Sequence, residues 1–264
     1  MPTAADPDLA RVYDFILRAD MAGSRNEPFR FGLSVRMPEL PLRQDSNYLL
    51  VTDAPAGVSA ADLAAEADRV QGAAGLAHRC LMLRDAAEGE RLAPGFEALG
   101  WTVSRGVVMV QRRPPAGAPS GVRVERTEPG AIRAAREADM APYPWATPEV
   151  IRQLLDARAH IPVETRNYAV FEGTTPASWA ELYLDGGIGQ VEAVATAPPF
   201  CRRGYASATV LHAAAAARRA GAGLVFLCAE AGGKPAELYA RLGFDEIGRF
   251  VKFIRFGGAG RSKP

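Results

Sequence analysis

Residues 198–211 read PPFCRRGYASATVL, a proline-rich turn that leads into a run of small, helix-forming residues. Gly204 stands where the helix would begin, and a glycine lets backbone approach a ligand without a Cβ in the way. The first N–H groups of a helix lack intrahelical acceptors and lie at the positive end of its dipole. Together with Arg202 and Arg203 this pattern is typical of a phosphate-binding site. A helix start decorated by two solvated arginines would show the same residues.

The residues around this turn predict alternating strands and helices. VEAVAT (191–196) precedes the turn as a strand, and GLVFLCA (223–229) follows the helix as a strand buried on both faces. PAELYARLG (235–243) is a helix closed by glycine. Upstream, Thr147 caps a helix that begins at Pro148. The C-terminal half therefore reads β-α-α-β-β-β-α-β-α-β-β, which predicts an α/β layer fold with a mixed sheet.

A proline- and glycine-rich stretch, QRRPPAGAPSG (111–121), suppresses both helix and strand and predicts a linker. On this basis the chain divides into four parts. They are a domain over 1–115, a linker over 116–121, a domain over 122–256 and a flexible tail over 257–264.

The N-terminal half contains a segment similar to the later one. HRCLMLRDAAEGERLAPGFEALGW (78–101) parallels GLVFLCAEAGGKPAELYARLGF (223–244): each is a strand, an acidic-glycine turn, a proline-containing helix and a Leu-Gly-aromatic stop. Phe96 falls opposite Tyr239, and APAG (54–57) stands where the second half has CRRG. We interpret the first half as a degenerate copy of the second. The matched identities are few, so a chance likeness between two α/β segments stays open.

Two motifs in the C-terminal half resemble those of one family. VATAPPFCRRGYASATVL (194–211) resembles the acetyl-CoA pyrophosphate loop of the GNAT superfamily of N-acetyltransferases, whose pattern is Gln/Arg-x-x-Gly-x-Gly/Ala. AELYARLGF (236–244) resembles that family's later helix, a tyrosine followed by Leu-Gly-Phe. The resemblance covers about residues 121–256. Cys201 departs from it at the first loop position, and AGGKP (231–235) stands where many members have Asn or Asp.

This resemblance implies a GNAT fold in two tandem halves and direct transfer of acetyl from acetyl-CoA, the co-substrate, to a primary amine in a ternary complex. The strand 191–196 would diverge from 223–229 and admit the pantetheine arm. The thioester carbonyl would meet a backbone N–H there, as in an oxyanion hole. The cofactor-binding residues implied are Val194, Ala195, Thr196, Cys201, Arg202, Arg203, Gly204, Tyr205, Ala206 and Ser207.

Two residues are candidates for the chemistry. The resemblance implies that Tyr239 protonates the leaving thiolate as general acid; the alternative is an ordinary half-buried helix aromatic. Glu192 lies two residues before Val194 and is predicted on the same face of the strand. It could take the amine proton directly or through water, or be a solvated strand residue.

The acceptor site has weaker signals. Trp179, Glu181 and Tyr183 alternate along one strand, which could be an acceptor-pocket wall or the packed side of the strand. Glu181 is the second candidate base. The family likeness implies that Tyr143 and Trp145, in the loop APYPWAT, border the acceptor, with hydrophobic packing as the alternative.

Composition limits the other functions. The net charge of +1 gives no global field for nucleic acid or an anionic membrane, so we expect neither as partner. The histidines are isolated, which predicts no metal site. Three cysteines and no signal-peptide pattern at the N-terminus predict a cytoplasmic protein.

The acceptor, a small molecule or a protein amine, stays open, as does the choice of monomer or homodimer. The competing functions are a non-catalytic acyl-CoA sensor or scaffold, and a nucleotide-binding module. The second lacks a lysine-bearing glycine-rich loop or a GxGxxG after its first strand.

Overall fold

A computed structural model of the chain describes residues 6–21, 25–117 and 119–256. The predicted flexible tail, 257–264, lies outside these residues. Within the described part of the chain, no helix has the length and apolar composition needed to cross a membrane.

Helices and strands are both distributed along the whole described chain. Short 3₁₀ turns lie at Gln44–Ser46, Ala157–His160 and Pro198–Phe200. The elements are α1 (Pro7–Met21), β1 (Arg25–Phe29), β2 (Gly32–Arg36), β3 (Tyr48–Val51), α2 (Ala60–Ala73), β4 (His78–Leu83), α3 (Ala86–Ala98), β5 (Thr102–Gln111), β6 (Glu125–Thr127), α4 (Pro129–Met140), α5 (Pro148–Asp156), β7 (Glu164–Glu172), β8 (Thr175–Asp185), β9 (Ile188–Thr196), α6 (Tyr205–Arg219), β10 (Leu224–Glu230), α7 (Lys234–Arg241) and β11 (Phe244–Phe256).

The chain forms two compact units, which are not its two sequence halves. The C-terminal unit contains the residues up to Ile16, Val107–Met140 and Val163–Gly248. The N-terminal unit contains Leu17–Gly106, Ala141–Pro162 and the residues from Arg249 onward. The divisions between the units fall within α1, β5 and β11 and at the two ends of the segment Ala141–Pro162, whereas the predicted boundaries lie at 115 and 122.

In the C-terminal unit the strand order is β5-β10-β9-β8-β7-β6. Strands β6 to β9 are antiparallel neighbours, and β9 and β10 are parallel. The predicted order of strands and helices is confirmed as far as α7, and a single strand, β11, stands where the prediction had two. Thr147 caps α5 as predicted, since its side chain accepts from the Val150 N–H. This is the mixed α/β sheet that the sequence predicts.

Helix α6 packs closely on this sheet because small residues face it. Val210, Ala213 and Ala217 are buried at the contact with β8 and β9. Gly189 in β9 lies directly below, and a Cβ there would come within 2.7 Å of the Ala217 Cβ. This close approach fixes where α6 begins relative to β9.

The N-terminal unit has the strand order β1-β2-β3-β4-β11. Its core contains Phe96, which is fully buried and stacks on Phe253 with ring centroids 4.0 Å apart. Phe96, which the sequence comparison places opposite Tyr239, is thus a core residue here.

A buried ion pair joins α4 to β8 in the C-terminal unit. Arg136 is 4% exposed and Glu181 2% exposed, and their side chains form a salt bridge. The Tyr183 hydroxyl also donates to the Glu181 carboxylate. Removing one partner of a buried ion pair destabilises the fold, because the remaining charge keeps its desolvation cost without a counter-ion.

We expect Arg136→Met to lower the free energy of unfolding by about 3–5 kcal/mol, because the Glu181 carboxylate is left buried without this cation. Arg133→Met, on the same helix, is the matched control: its pair with Glu137 is 3.0 Å long and solvent-exposed, and it should cost about 0.3–0.5 kcal/mol. Urea unfolding measures both. Equal losses in the two variants would contradict the expected cost of leaving the buried Glu181 carboxylate without Arg136.

Candidate functional site

Strands β9 and β10 are paired only at their beginnings. Their parallel register joins Ile188 to Leu224, Gly189 to Val225 and Gln190 to Phe226. Both strands continue beyond these pairs, β9 to Thr196 and β10 to Glu230. The predicted divergence of the two strands is confirmed, and it leaves strand edges whose backbone groups can pair with an extended ligand.

A bulge in β9 coincides with this divergence. Trp179 of β8 pairs with Ala195, and Glu181 pairs with Glu192, so β9 carries one more residue than β8 between the two pairs. Ala193 adopts a positive φ of 50° there. A bulge bends its strand and shifts the alternation of side chains by one.

A cavity of about 430 Å³ lies at the point where β9 ends and α6 and α7 begin. Most of the predicted cofactor-binding residues line it, together with the predicted acid. Its walls are formed by Val194, Ala195, Thr196, Phe200, Cys201, Arg202, Gly204, Tyr205, Ala206, Ser207, Lys234, Pro235, Leu238 and Tyr239.

The first turn of α6 opens onto this cavity. Gly204 is the N-cap, with φ 82°, and its carbonyl accepts from the Ala208 N–H. A glycine has no side chain to cap the turn, and the N–H groups of Tyr205, Ala206 and Ser207 at such a helix start can bind an anion. A Cβ on Gly204 would lie 3.3 Å from the Pro119 Cβ, so both space and backbone conformation favour glycine.

Three side chains of the loop are turned to other partners. The Cys201 thiol lies 3.6 Å from the Thr196 carbonyl oxygen, which fits a weak S–H donor to the end of β9. The Arg203 guanidinium stands 5.5 Å above the Phe200 ring, and Arg203 is not among the residues that line the cavity. The Tyr205 hydroxyl donates to Glu172, which raises the pKa of Tyr205.

Tyr239 lies on α7 and is 7% exposed, with its side chain on the cavity wall. Burial, and secondarily the negative charge of Glu192, raises its pKa to about 12. The hydroxyl is therefore protonated at neutral pH and can act as a proton donor to a group bound in the cavity.

Glu192 does not share a face with Val194, contrary to the prediction from strand alternation. Val194 packs on the core under α6, whereas Glu192 is paired with Glu181 on the α4 side of the sheet. The bulge at Ala193 is the physical reason. The Glu192 carboxylate accepts from the Gln190 side chain at 2.7 Å, and its charge reaches Tyr239 electrostatically.

None of the acceptor candidates is among the residues that line the cavity. Trp179 is 2% exposed and packs with Ile132 of α4, and Glu181 is engaged by Arg136. This is the packed side of the strand, the alternative that the sequence left open. Tyr143 and Trp145 belong to the N-terminal unit, where their rings stack with centroids 5.6 Å apart.

Sequence reasoning missed four residues of the cavity wall: Phe200, Lys234, Pro235 and Leu238. Lys234 begins α7, whose N-cap is Gly233, so a second glycine-capped helix N-terminus borders the same cavity. AGGKP contains the signal, a glycine followed by a lysine and a proline at a helix start.

The corresponding helix starts of the N-terminal unit carry their own caps. The Ser59 hydroxyl accepts from the Asp62 N–H, and the Asp62 carboxylate accepts from the Ser59 N–H in return. The Asp85 carboxylate caps α3 by accepting from the Glu88 N–H. Strands β3 and β4 also stay paired to their ends, at Val51 and Leu83. The N–H groups at these helix starts are already bonded to their caps, an acidic side chain stands at each start, and the adjacent strands are paired to their ends. All three features oppose phosphate binding.

Comparisons with known proteins show what this chain is similar to in sequence and in fold. Residues 132–244 match the model of the Acetyltransferase (GNAT) family. No curated protein has a sequence that matches this chain.

Solved structures match over most of the chain. A GCN5-related N-acetyltransferase from Kribbella flavida has a TM-score of 0.62 at 19% identity, over 94% of this chain and 96% of that one. A functionally unknown conserved protein from Staphylococcus epidermidis ATCC 12228 has a TM-score of 0.69 at 13% identity, over 89% of this chain and 94% of that one.

A tandem GNAT protein from the clavulanic acid biosynthesis pathway has a TM-score of 0.53 at 14% identity, over 77% of this chain and 70% of that one. At these identities the likeness establishes the fold. The fold is thus that of GNAT proteins, a tandem one among them, and residues 132–244 of this chain are similar in sequence to the acetyltransferase (GNAT) family.

Proposed function

We propose that the C-terminal unit is an N-acetyltransferase that binds acetyl-CoA in the 430 Å³ cavity and transfers its acetyl group directly to a primary amine. One observation carries the proposal: the glycine-capped start of α6, the diverging end of β9 and Tyr239 all line this single cavity.

The residues of the cavity suit the parts of such a ligand. The N–H groups of residues 205–207, the helix dipole and the Arg202 side chain would hold the pyrophosphate. The edge of β9 from Val194 to Thr196, free of β10 over this stretch, would pair with the amides of the pantetheine arm. Apolar contacts along the arm would come from Leu238 and Pro235.

Bound acetyl-CoA would supply an acetyl thioester, whose C–S bond breaks as the amine nitrogen forms its bond to the acetyl carbon. Tyr239 would give its hydroxyl proton to the departing thiolate. From the α4 side of the sheet, Glu192 would take the proton that the amine loses, directly or through water, so that both proton movements balance. A backbone N–H at the end of β9 would stabilise the negative charge on the carbonyl oxygen.

We expect Gly204→Val to weaken acetyl-CoA binding by about tenfold or more, because a β-branched residue opposes the positive φ and its side chain meets Pro119. Gly221→Val is the matched control. Gly221 follows the other end of α6 with φ 91°, and a Cβ there meets nothing within 4 Å. Isothermal titration with acetyl-CoA measures both. Unchanged affinity in Gly204→Val would show that the phosphates do not bind at the start of α6.

We expect Tyr239→Phe to bind acetyl-CoA within about threefold of wild type while kcat falls about 10²–10⁴-fold, because only the proton donor is removed. A panel of amines screened for CoA release identifies the acceptor for this assay. Since the pKa of Tyr239 is about 12, the wild-type rate should show no loss attributable to this residue below about pH 10. A variant that turns over at the wild-type rate across this range would exclude Tyr239 as the acid. Retained binding without turnover of any amine by wild type would instead favour the acyl-CoA sensor.

We expect one acetyl-CoA to bind per chain. In the N-terminal unit the helix starts are capped, and β3 and β4 are paired to their ends, so that a second site is opposed. Titration calorimetry gives the stoichiometry directly. Two equivalent sites per chain would contradict the distinction drawn between the two units.

A further inference from the structure

Two fully buried hydroxyl groups lie beneath the cavity, one on the sheet and one on α6. Ser178 of β8 and Thr209 of α6 are both 0% exposed. Neither lines the cavity, but each contacts residues that do. Buried hydroxyl groups are nearly always hydrogen-bonded, and the partners of these two identify the segments that they join.

Ser178 holds the end of β9. Its hydroxyl donates to the Ala195 carbonyl and accepts from the Thr196 hydroxyl, both at 2.9 Å. The Ala197 N–H donates to the Ala177 carbonyl beside it, also at 2.9 Å. Because β9 has left β10 beyond Gln190, these bonds to β8 fix the stretch where the thioester is expected.

Thr209 holds the start of α6. Its hydroxyl donates to the Tyr205 carbonyl at 2.9 Å and lies 3.5 Å from the Ser178 hydroxyl oxygen. Each hydroxyl has a single proton. The Ser178 proton goes to Ala195 and the Thr209 proton to Tyr205, so the direction of both bonds is set.

We propose that Ser178 and Thr209 are positioning residues that fix the distance between the end of β9 and the first turn of α6, and thereby the affinity for an intact acyl-CoA. The inference rests on the proposed function, because it assigns one subsite to each end of the pair. Ala195 and Thr196 would meet the thioester end, and the turn at Tyr205 would meet the phosphates. A ligand that occupies both ends gains from a fixed spacing, whereas a ligand that occupies only the phosphate end does not.

The test compares acetyl-CoA with adenosine 3′,5′-bisphosphate, the nucleotide part of CoA that lacks the pantetheine arm. For Ser178→Ala and Thr209→Val we expect acetyl-CoA to bind about tenfold more weakly, while the bisphosphate binds within about twofold of wild type. Thr209→Ser, which keeps the hydroxyl, should restore acetyl-CoA affinity. Should Ser178→Ala fail to fold, the Thr209 pair of variants decides.

Ser34→Ala is the matched control, since Ser34 is a buried serine of the N-terminal unit, 1% exposed. It should change neither affinity. Equal losses for both ligands, or unchanged acetyl-CoA affinity in a folded Thr209→Val, would overturn the positioning role. Wild-type protein that binds no acetyl-CoA would instead overturn the proposed function, and the inference with it.

Discussion

The break in pairing between β9 and β10 is the constraint on which the candidate site depends. After Gln190 and Phe226 the two strands are no longer paired, and the bulge at Ala193 lies within this unpaired part of β9. If the pairing of β9 with β10 continued, the backbone N–H and C=O groups at this edge would be hydrogen-bonded within the sheet. A local loss of hydrogen bonds is thus what makes room for an extended ligand.

Helix α6 turns this opening into a site of defined polarity. Its alanine-rich face lets it lie close on β8 and β9, which brings its glycine-capped start to the end of the diverging strand. Tyr239 enters from α7 with its hydroxyl protonated. The N-terminal unit has the same arrangement of strand and helix, but its helix start does not favour an anion. The Ser59–Asp62 capping box already bonds the N–H groups there. Similar topology therefore does not imply similar binding.

Much of the C-terminal unit could be predicted from sequence, because its signals are local. The Thr147 cap, the glycine at the start of α6 and the apolar run of β10 each depend on neighbouring residues alone. The bulge could not be predicted, since alanine has no preference for the positive φ of Ala193. The side of the sheet that Glu192 faces depends on that bulge, and so the prediction for its face was wrong.

Other features depend on long-range packing. The segment 141–162 follows α4 in sequence but belongs to the N-terminal unit, and no local pattern indicates this. That Glu181 forms a buried ion pair with Arg136 likewise could be seen only in the tertiary structure. Lys234 could have been found, because a glycine before it and a proline after it mark a helix start.

Backbone amide chemical shifts during titration with acetyl-CoA would test the central claim most directly. If the ligand binds where β9 diverges and α6 begins, the largest changes fall on residues 194–196 and 204–207, while the capped turn at 59–62 stays unchanged. Changes at 59–62, or an unperturbed first turn of α6 in the presence of bound ligand, would contradict it.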